Sequence, residues 1–443
     1  MPTRLTAVAA LLLMLGLSVQ VRPVRADEQY EVLWKFVDDF MELKDEERVA
    51  FSRKFMLELK DPAIKVAALG MLFRPLRGFD GLNVVEYLPK ELGSEMLPTY
   101  LTADDSRIRA TAVELLAARS EAGPHSKAIR KVLQTADGAK LVKVVRAIGK
   151  IEDRSLLADL KPLLSHSEPE VRQNTCWSLL KRADNDWREA VIPLLSDPND
   201  SAKVAALALL VKIGHADDLP LVHGLLKDPS DEVRRITASQ LEPCRDESSG
   251  QALIASLADP SPEVRYTIAK SLGGRKGAAY REALTTLLGD SEHLVRQVTL
   301  RVVAEQEWSD VRQMLEARLQ DEAFQVRAAA AEELGKLKDR AAISALALAL
   351  GDPQWEVRDT TIRALVELDA RSECPALLLL LNDGSYYVQC SAAQALVKLG
   401  DKSCLPTLRA HQRQYQNEGD VYPQDHTLIR YLVSHAIEQI EQR

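Results

Sequence analysis

Eight histidines and five cysteines are the side chains best suited to hold a metal or to act as nucleophile. A zinc or iron site needs three or four such groups at one point, usually announced by CxxC or by histidines one helical turn apart. His125, His166, His215, His223, His293, His411, His426 and His435 are scattered, with no spacing that would present several to one metal. Cys176, Cys244, Cys374, Cys390 and Cys404 are an odd set without a CxxC. There is no Gly-rich phosphate loop, no GxSxG and no single cysteine with an ordered histidine partner. The residue types therefore predict no catalytic, metal or cofactor site.

What does recur is aliphatic and ionic, with a period of 31. Leu164, Leu195, Leu226, Leu257, Leu288, Leu319, Leu350 and Leu381 form one column, and four residues upstream run Leu160, Val191, Val222, Leu253, Leu284, Leu315, Leu346 and Leu377. An i, i+4 pair lies on one helix face, so each unit contains a helix with an inward aliphatic stripe. Two residues beyond the leucine stands Asp197, Asp228, Asp259, Asp290, Asp321, Asp352 or Asp383, often followed by proline. Asp-Pro marks a turn, and Ser230 or Ser261 is placed to N-cap the next helix.

That second helix carries Val171-Arg172, Val233-Arg234, Val264-Arg265, Val295-Arg296, Val326-Arg327 and Val357-Arg358, with Ala202-Lys203 and Val388-Gln389 as variants. Four residues on lies a mostly small residue, from Thr175 to Ala392, and eight on an aliphatic one, from Leu179 to Leu396. Small residues let successive helices approach closely, as a stack requires. With 5% aromatic residues and Leu, Ala, Val, Arg and Glu abundant, the chain reads as all-α.

A leucine-rich helix, Asp-Pro, Val-Arg and a small-residue helix together resemble HEAT repeats, in the short form shared with phycobilin-lyase-like proteins. The resemblance is strong over 155–400 and weak over 61–150. It implies a right-handed α-α superhelix, a HEAT/armadillo-like solenoid with helical caps at both ends. It also implies that the Asp and Arg columns form a structural ladder: Asp228, Asp259, Asp290, Asp321 and Asp352 with Arg234, Arg265, Arg296, Arg327 and Arg358. Some proteins of this kind are enzymes. The deoxyhypusine hydroxylase type is similar in fold and uses His-Glu pairs for iron, but no histidine here precedes a glutamate. A bilin-lyase-like component is the other enzymatic alternative, disfavoured because such lyases act inside cells.

Departures from the period divide the chain. A signal peptide is expected at 1–26, from Arg4, the apolar run Leu5 to Val19, and Val24-Arg25-Ala26 ahead of Asp27. The apolar run is short for a membrane span. An N-terminal helical cap at 27–60 carries Trp34, Phe36, Phe40, Phe51 and Phe55. Degenerate repeats occupy 61–154 with an insertion near Phe79 to Pro98, regular repeats 155–400, and a C-terminal helical cap 401–443. Export to a periplasm or the extracellular space follows, with no membrane span after cleavage.

Removing Arg4, Arg22 and Arg25 from the 57 basic residues leaves 54 against 65 acidic ones, a net charge of −11. Nucleic acid is disfavoured as a partner, because phosphate contacts need a basic surface. Export permits disulfides, and Cys374 with Cys404 is the pair to test. Equivalent positions of stacked helices lie about 8–10 Å apart, beyond the roughly 7 Å a bridge allows between Cα atoms, so free thiols are expected.

Two surfaces are candidates for binding. If the Val-Arg helices line the concave side, as in HEAT stacks, residues two and six after the valine point away from the core. Those columns hold Arg235, Tyr266, Lys270, Arg301, Asp359 and Arg363, with Trp177 and Glu332: a polar strip, basic at its centre and suited to an acidic segment. Two residues before the valine stand His293, Phe324, Trp355 and Tyr386, with Tyr387 alongside, an aromatic edge of the kind that anchors interfaces. The resulting expectation is an exported, non-catalytic scaffold or adaptor for a protein or peptide partner, with no cofactor.

Overall fold

The computed structural model describes residues 97–443 except 99, 103–105, 119, 183 and 418–426. The signal sequence, the cap at 27–60, the repeat at 61–77 and the insertion up to residue 96 lie outside the described residues. The rest falls into two compact units, divided between Asp218 and Leu219.

The first unit contains α1 (Ser106–Ala118), α2 (Ser126–Thr135), α3 (Gly138–Ile148), α4 (Arg154–Ala158), α5 (Pro169–Leu179), α6 (Arg188–Val191) and α7 (Asp200–Ile213). The second contains α8 (Leu219–Gly224), α9 (Asp231–Gln240), α10 (Glu247–Ile254), α11 (Pro262–Ser271), α12 (Ala278–Leu287), α13 (His293–Ala304) and α14 (Val311–Arg318). It continues with α15 (Phe324–Leu337), α16 (Ile343–Ala349), α17 (Trp355–Glu367), α18 (Cys374–Leu379), α19 (Tyr386–Leu399), α20 (Leu405–Asn417) and α21 (Thr427–Glu441). No strand occurs among the described residues, and the fold is an all-α solenoid of helix pairs.

The periodic columns make the core. The valine column from Val171 to Val388, the small-residue column from Thr175 to Ala392 and the upstream aliphatic column from Leu160 to Leu377 are all buried. Several first helices are short and run on into a 3-10 turn, as at Ile192–Ser196, where Pro193 removes an amide donor. The Asp197 that follows is extended, with φ −60° and ψ 138°, and ends the helix.

Successive second helices pack on one another: α1, α3, α5 and α7 in the first unit, and α9, α11, α13, α15, α17, α19 and α21 in the second. Small side chains bring them close. A Cβ on Gly335 of α15 would lie 2.8 Å from the Ala364 Cα of α17, so only glycine fits there. Most buried hydroxyls of the small-residue column are satisfied within the stack, Thr361 Oγ1 being the exception. Thr175, Thr237 and Thr299 donate to the carbonyl four residues back, and Ser271 Oγ donates to Ala238 O of the preceding second helix at 2.9 Å.

The C-terminal region follows the same plan. Helix α21 packs on α19 and on α20 as a second helix would, burying Ile429, Val433, Ala436 and Ile440. A polar end is still needed on an open stack. Its outward side carries Arg430, Glu438 and Glu441 together with Tyr431, whose ring stacks on His435 at 5.8 Å.

Candidate protein-interaction surface

The turns from first to second helix at Asp259, Asp290, Asp321 and Asp352 are closed by a three-way clamp. At Asp259, Oδ1 accepts the Ser261 amide at 2.9 Å, and the Asp259 carbonyl accepts Arg265 Nη1 of its own repeat at 2.8 Å. The carboxylate also receives Arg234 of the preceding repeat, Nε to Oδ2 at 2.7 Å and Nη2 to Oδ1 at 2.9 Å. Arg265–Asp290, Arg296–Asp321, Arg327–Asp352 and Arg358–Asp383 repeat this two-bond pairing in the second unit, as does Arg172–Asp197 in the first. Gln389 keeps only the bond to its own turn, donating to Asp383 O at 2.6 Å, and closes the row.

A planar guanidinium matches a carboxylate two bonds at a time, which explains the arginine column. The pairs are largely buried, with Arg265 and Asp290 side chains 12% and 7% exposed. Burial alone would raise the Asp290 carboxyl, but the Arg265 guanidinium and the Glu292 amide outweigh it and hold the group below the usual carboxylate range. Hydrogen bonding to Asp290 raises Arg265 in turn. With Nε, Nη1 and Nη2 all engaged, these arginines hold repeats together and are spent as ligands for anything else. The serines of the turn depart from their expected part. Ser230 and Ser261 stand at the N-cap without a hydroxyl cap bond; their amides donate to Asp228 and Asp259, and Ser261 Oγ turns to Glu263.

A second ionic row, at the loops between repeats, was not read from the sequence. It comprises Arg130–Asp159 and Arg188–Asp218 in the first unit, and Arg281–Asp310, Arg312–Asp339 and Arg340–Asp369 in the second, with the Ser126–Asp153 hydrogen bond at the equivalent place of an earlier loop. The loops vary in length, so the partners lie 27 to 30 residues apart and no fixed period marks them. The first unit also has an open hollow lined by Lys161, Trp187, Arg188 and His215. Its cations are committed, Lys161 to Asp186 O and Arg188 to Asp218.

Apart from Trp177, which lies 40% exposed on α5 of the first unit, the polar strip lies on the second helices of the second unit. Tyr266 is 40% exposed, Lys270 and Arg301 are exposed, and Arg235 is half-buried. Arg235, Lys270 and Arg301 make no direct ion pair among the described residues, although Arg235 helps to lower Glu263 and Arg301 helps to lower Glu332 from a distance. Asp359 and Arg363 differ from the expectation, since they bond to each other and Ser391 Oγ donates to Asp359. The usable positive charge is therefore concentrated on α9, α11 and α13.

The aromatic edge is also rearranged. Phe324, Trp355 and Tyr386 open their helices in register, yet Trp355 stacks on Tyr387 rather than on Tyr386, with centroids 4.9 Å apart. Tyr386 meets Tyr387 edge-on at 6.3 Å, and Phe324 and His293 are half-buried. Tyr387 precedes the valine by one, which turns it toward the strip by helical geometry. One surface of unit two thus holds both sequence-derived patches.

The cysteines are all free. Cys374 and Cys404 are nonetheless neighbours, close enough for the Cys404 thiol to act on that of Cys374, while their own hydrogen bonds go to Leu399 O and Asp401 Oδ1. Cys404 is 30 residues on, not 31, and sits in the 3-10 turn Lys402–Cys404 that packs on the start of α18.

The model of HEAT repeats matches the chain at 157–242, 188–273, 219–304, 250–325, 282–365 and 311–386, together more than half of it. The chain belongs to the HEAT-repeat family. A PBS lyase HEAT-like repeat also matches 388–413 of this HEAT-repeat protein, across α19 and α20. No curated protein is detectably similar. Among solved structures, Kap121p is similar at 12% identity and TM-score 0.60, covering 94% of this chain and 54% of its own. Kap121p bound to the extreme C-terminus of the protein phosphatase Cdc14p gives 13% and 0.59, with 95% and 54% covered. Kap95p, solved with RanGDP, gives 15% and 0.56, with 97% and 66% covered. The chain thus spans about half of Kap121p and two-thirds of Kap95p, and the likeness is one of fold. Among the described residues no helix is long and apolar enough to cross a membrane, and no group of three or more His, Cys, Asp or Glu is placed to hold a metal.

Proposed function

We propose that this HEAT-repeat protein is an exported, non-catalytic scaffold that receives an extended acidic segment of a partner protein along the second helices of its second unit. The observation that carries the reading is the run Arg235, Tyr266, Lys270 and Arg301 on consecutive helices α9, α11 and α13, continued by the Trp355–Tyr387 stack. Cations outside any direct ion pair, inside an acidic protein, attract an acidic segment and orient it, while stacked aromatics supply the apolar anchor. The ladder arginines contribute none of this. The likeness in fold to Kap121p, which was solved holding a C-terminal peptide segment of another protein, supports such a use of stacked helix pairs.

Export to a periplasm or the extracellular space belongs to the same proposal and rests on Arg4, the apolar run and Val24-Arg25-Ala26. N-terminal sequencing of protein from the exported fraction should begin at Asp27.

The test is affinity capture from that fraction. Wild type is compared with Arg235→Glu/Lys270→Glu/Arg301→Glu and with Trp355→Ala/Tyr387→Ala. Specific partners should be lost by both variants. Retention of every partner by both would remove this surface from consideration.

A further inference from the structure

Cys374 is the first residue of α18, and Cys404 ends the 3-10 turn leading into α20. The two segments pack on each other. Both side chains are buried, at 4% and 1% exposure. Cys374 Sγ donates to Leu399 O, the end of α19, at 3.3 Å, and Cys404 Sγ lies 4.0 Å from Asp401 Oδ1. The Cys404 thiol is Cys374's other neighbour. Both thiols lie in the seam between the last regular repeat and the α20–α21 pair, and they are the buried cysteines that two packed segments bring side by side.

We propose that Cys374 and Cys404 form an intramolecular disulfide that staples the α20–α21 pair to the repeat before it. The oxidant is a small-molecule or protein disulfide. One thiolate attacks it to give a mixed disulfide, releasing one thiol of the oxidant. The second thiolate then attacks the sulfur of its neighbour and displaces the other thiol. Two S–H bonds are lost and one S–S bond forms; both protons go to solvent or to the released thiolates, and the electron pair reduces the oxidant. Burial, with the neighbouring Cys404 second, pushes the Cys374 thiol up to about 12, which makes Cys374 a slow nucleophile and the bridge slow to form. It closes during folding or local opening, and the finished bond is shielded from reductants. That is the behaviour of a structural bridge, not of a catalytic dithiol.

The experiment uses the full chain. Reduced protein is incubated with glutathione disulfide, free thiols are alkylated, and the digest is read by mass spectrometry. A peptide linking Cys374 to Cys404, two hydrogens lighter than its parts, is expected in wild type and in Cys390→Ser, and neither in Cys374→Ser nor in Cys404→Ser. Amide exchange across α20 and α21 should slow by about tenfold or more on oxidation, because closing the loop restricts the opened state. Cys404→Ala, whose helical circular dichroism reports folding independently, should show no such response. Full alkylation of both cysteines, glutathione adducts without the cross-link, a bridge through Cys390, or unchanged exchange in the linked protein would each overturn the proposal.

Discussion

The Trp355 indole stacks on the ring of Tyr387, one repeat later, with centroids 4.9 Å apart and planes 23° from parallel. Tyr387 is 63% exposed and Trp355 37%, so each ring packs on the other and keeps part of its surface in solvent. Its position ties the aromatic edge to the polar strip.

Replacing both rings, Trp355→Ala with Tyr387→Ala, should remove partner capture and cost at most about 2 kcal/mol of stability, since a half-exposed aromatic pair contributes little beyond its area. Helical circular dichroism and a urea titration check the second half. A collapse in helicity would show that the rings are core instead.

Reversing Arg235, Lys270 and Arg301 to glutamate should slow association with an acidic partner by about 10- to 100-fold and flatten its dependence on salt, because steering acts mainly on the encounter rate. Stopped-flow or surface kinetics at two ionic strengths separates this from a change in dissociation. Stability should move by less than about 1 kcal/mol, these side chains being without ion-pair partners among the described residues.

The ladder behaves in the opposite way. Asp290→Ala leaves the Arg265 guanidinium buried without its anion and should destabilise the second unit by about 3 kcal/mol. Arg265→Lys retains charge but loses the fork, and should cost about 1–2 kcal/mol. A double-mutant cycle between the two positions measures their coupling, and a value near zero would demote the clamp to decoration.

Acid should loosen the array. The ladder carboxylates Asp197, Asp259, Asp290 and Asp321 lie below their ordinary range, and Asp246 lies lowest at about 2. For Asp246 burial opposes the shift, and the Ser248 hydroxyl and the Ser249 hydroxyl and amide overcome it. Depressed folded-state values mean that the stabilisation is complete above the unfolded carboxylate pKa near 4. It is lost as the pH falls from there through the folded values. Urea midpoints should therefore be flat from neutrality down to about pH 5 and drop toward pH 2, with Asp246→Asn removing about 1–2 kcal/mol of that change.

Gly335→Val should also be disruptive, by about 2–3 kcal/mol or more, since its Cβ would meet Ala364 Cα at 2.8 Å and α15 and α17 would have to separate. Thermal unfolding checks this, and a variant as stable as wild type would mean the two helices are not in contact in solution.

Sequence by itself determined the repeat, the core and the clamp partners, from Leu160 through Val388, because each occupies a fixed place in a 31-residue unit and burial imposes the same residue type each time. Tertiary structure decided whatever depends on how one repeat sits on the next. The Arg281–Asp310 and Arg312–Asp339 row follows loop geometry rather than period. Ring stacking chose Tyr387 over the in-register Tyr386, the cancelling of Arg363 by Asp359 moved the strip's charge toward α13, and a register one residue short brought Cys374 and Cys404 together. A periodic pattern specifies which side chains face inward, since hydrophobic burial is the same in every copy; it leaves open the exposed and loop positions, where pairing is set by distances that only the stacked helices define.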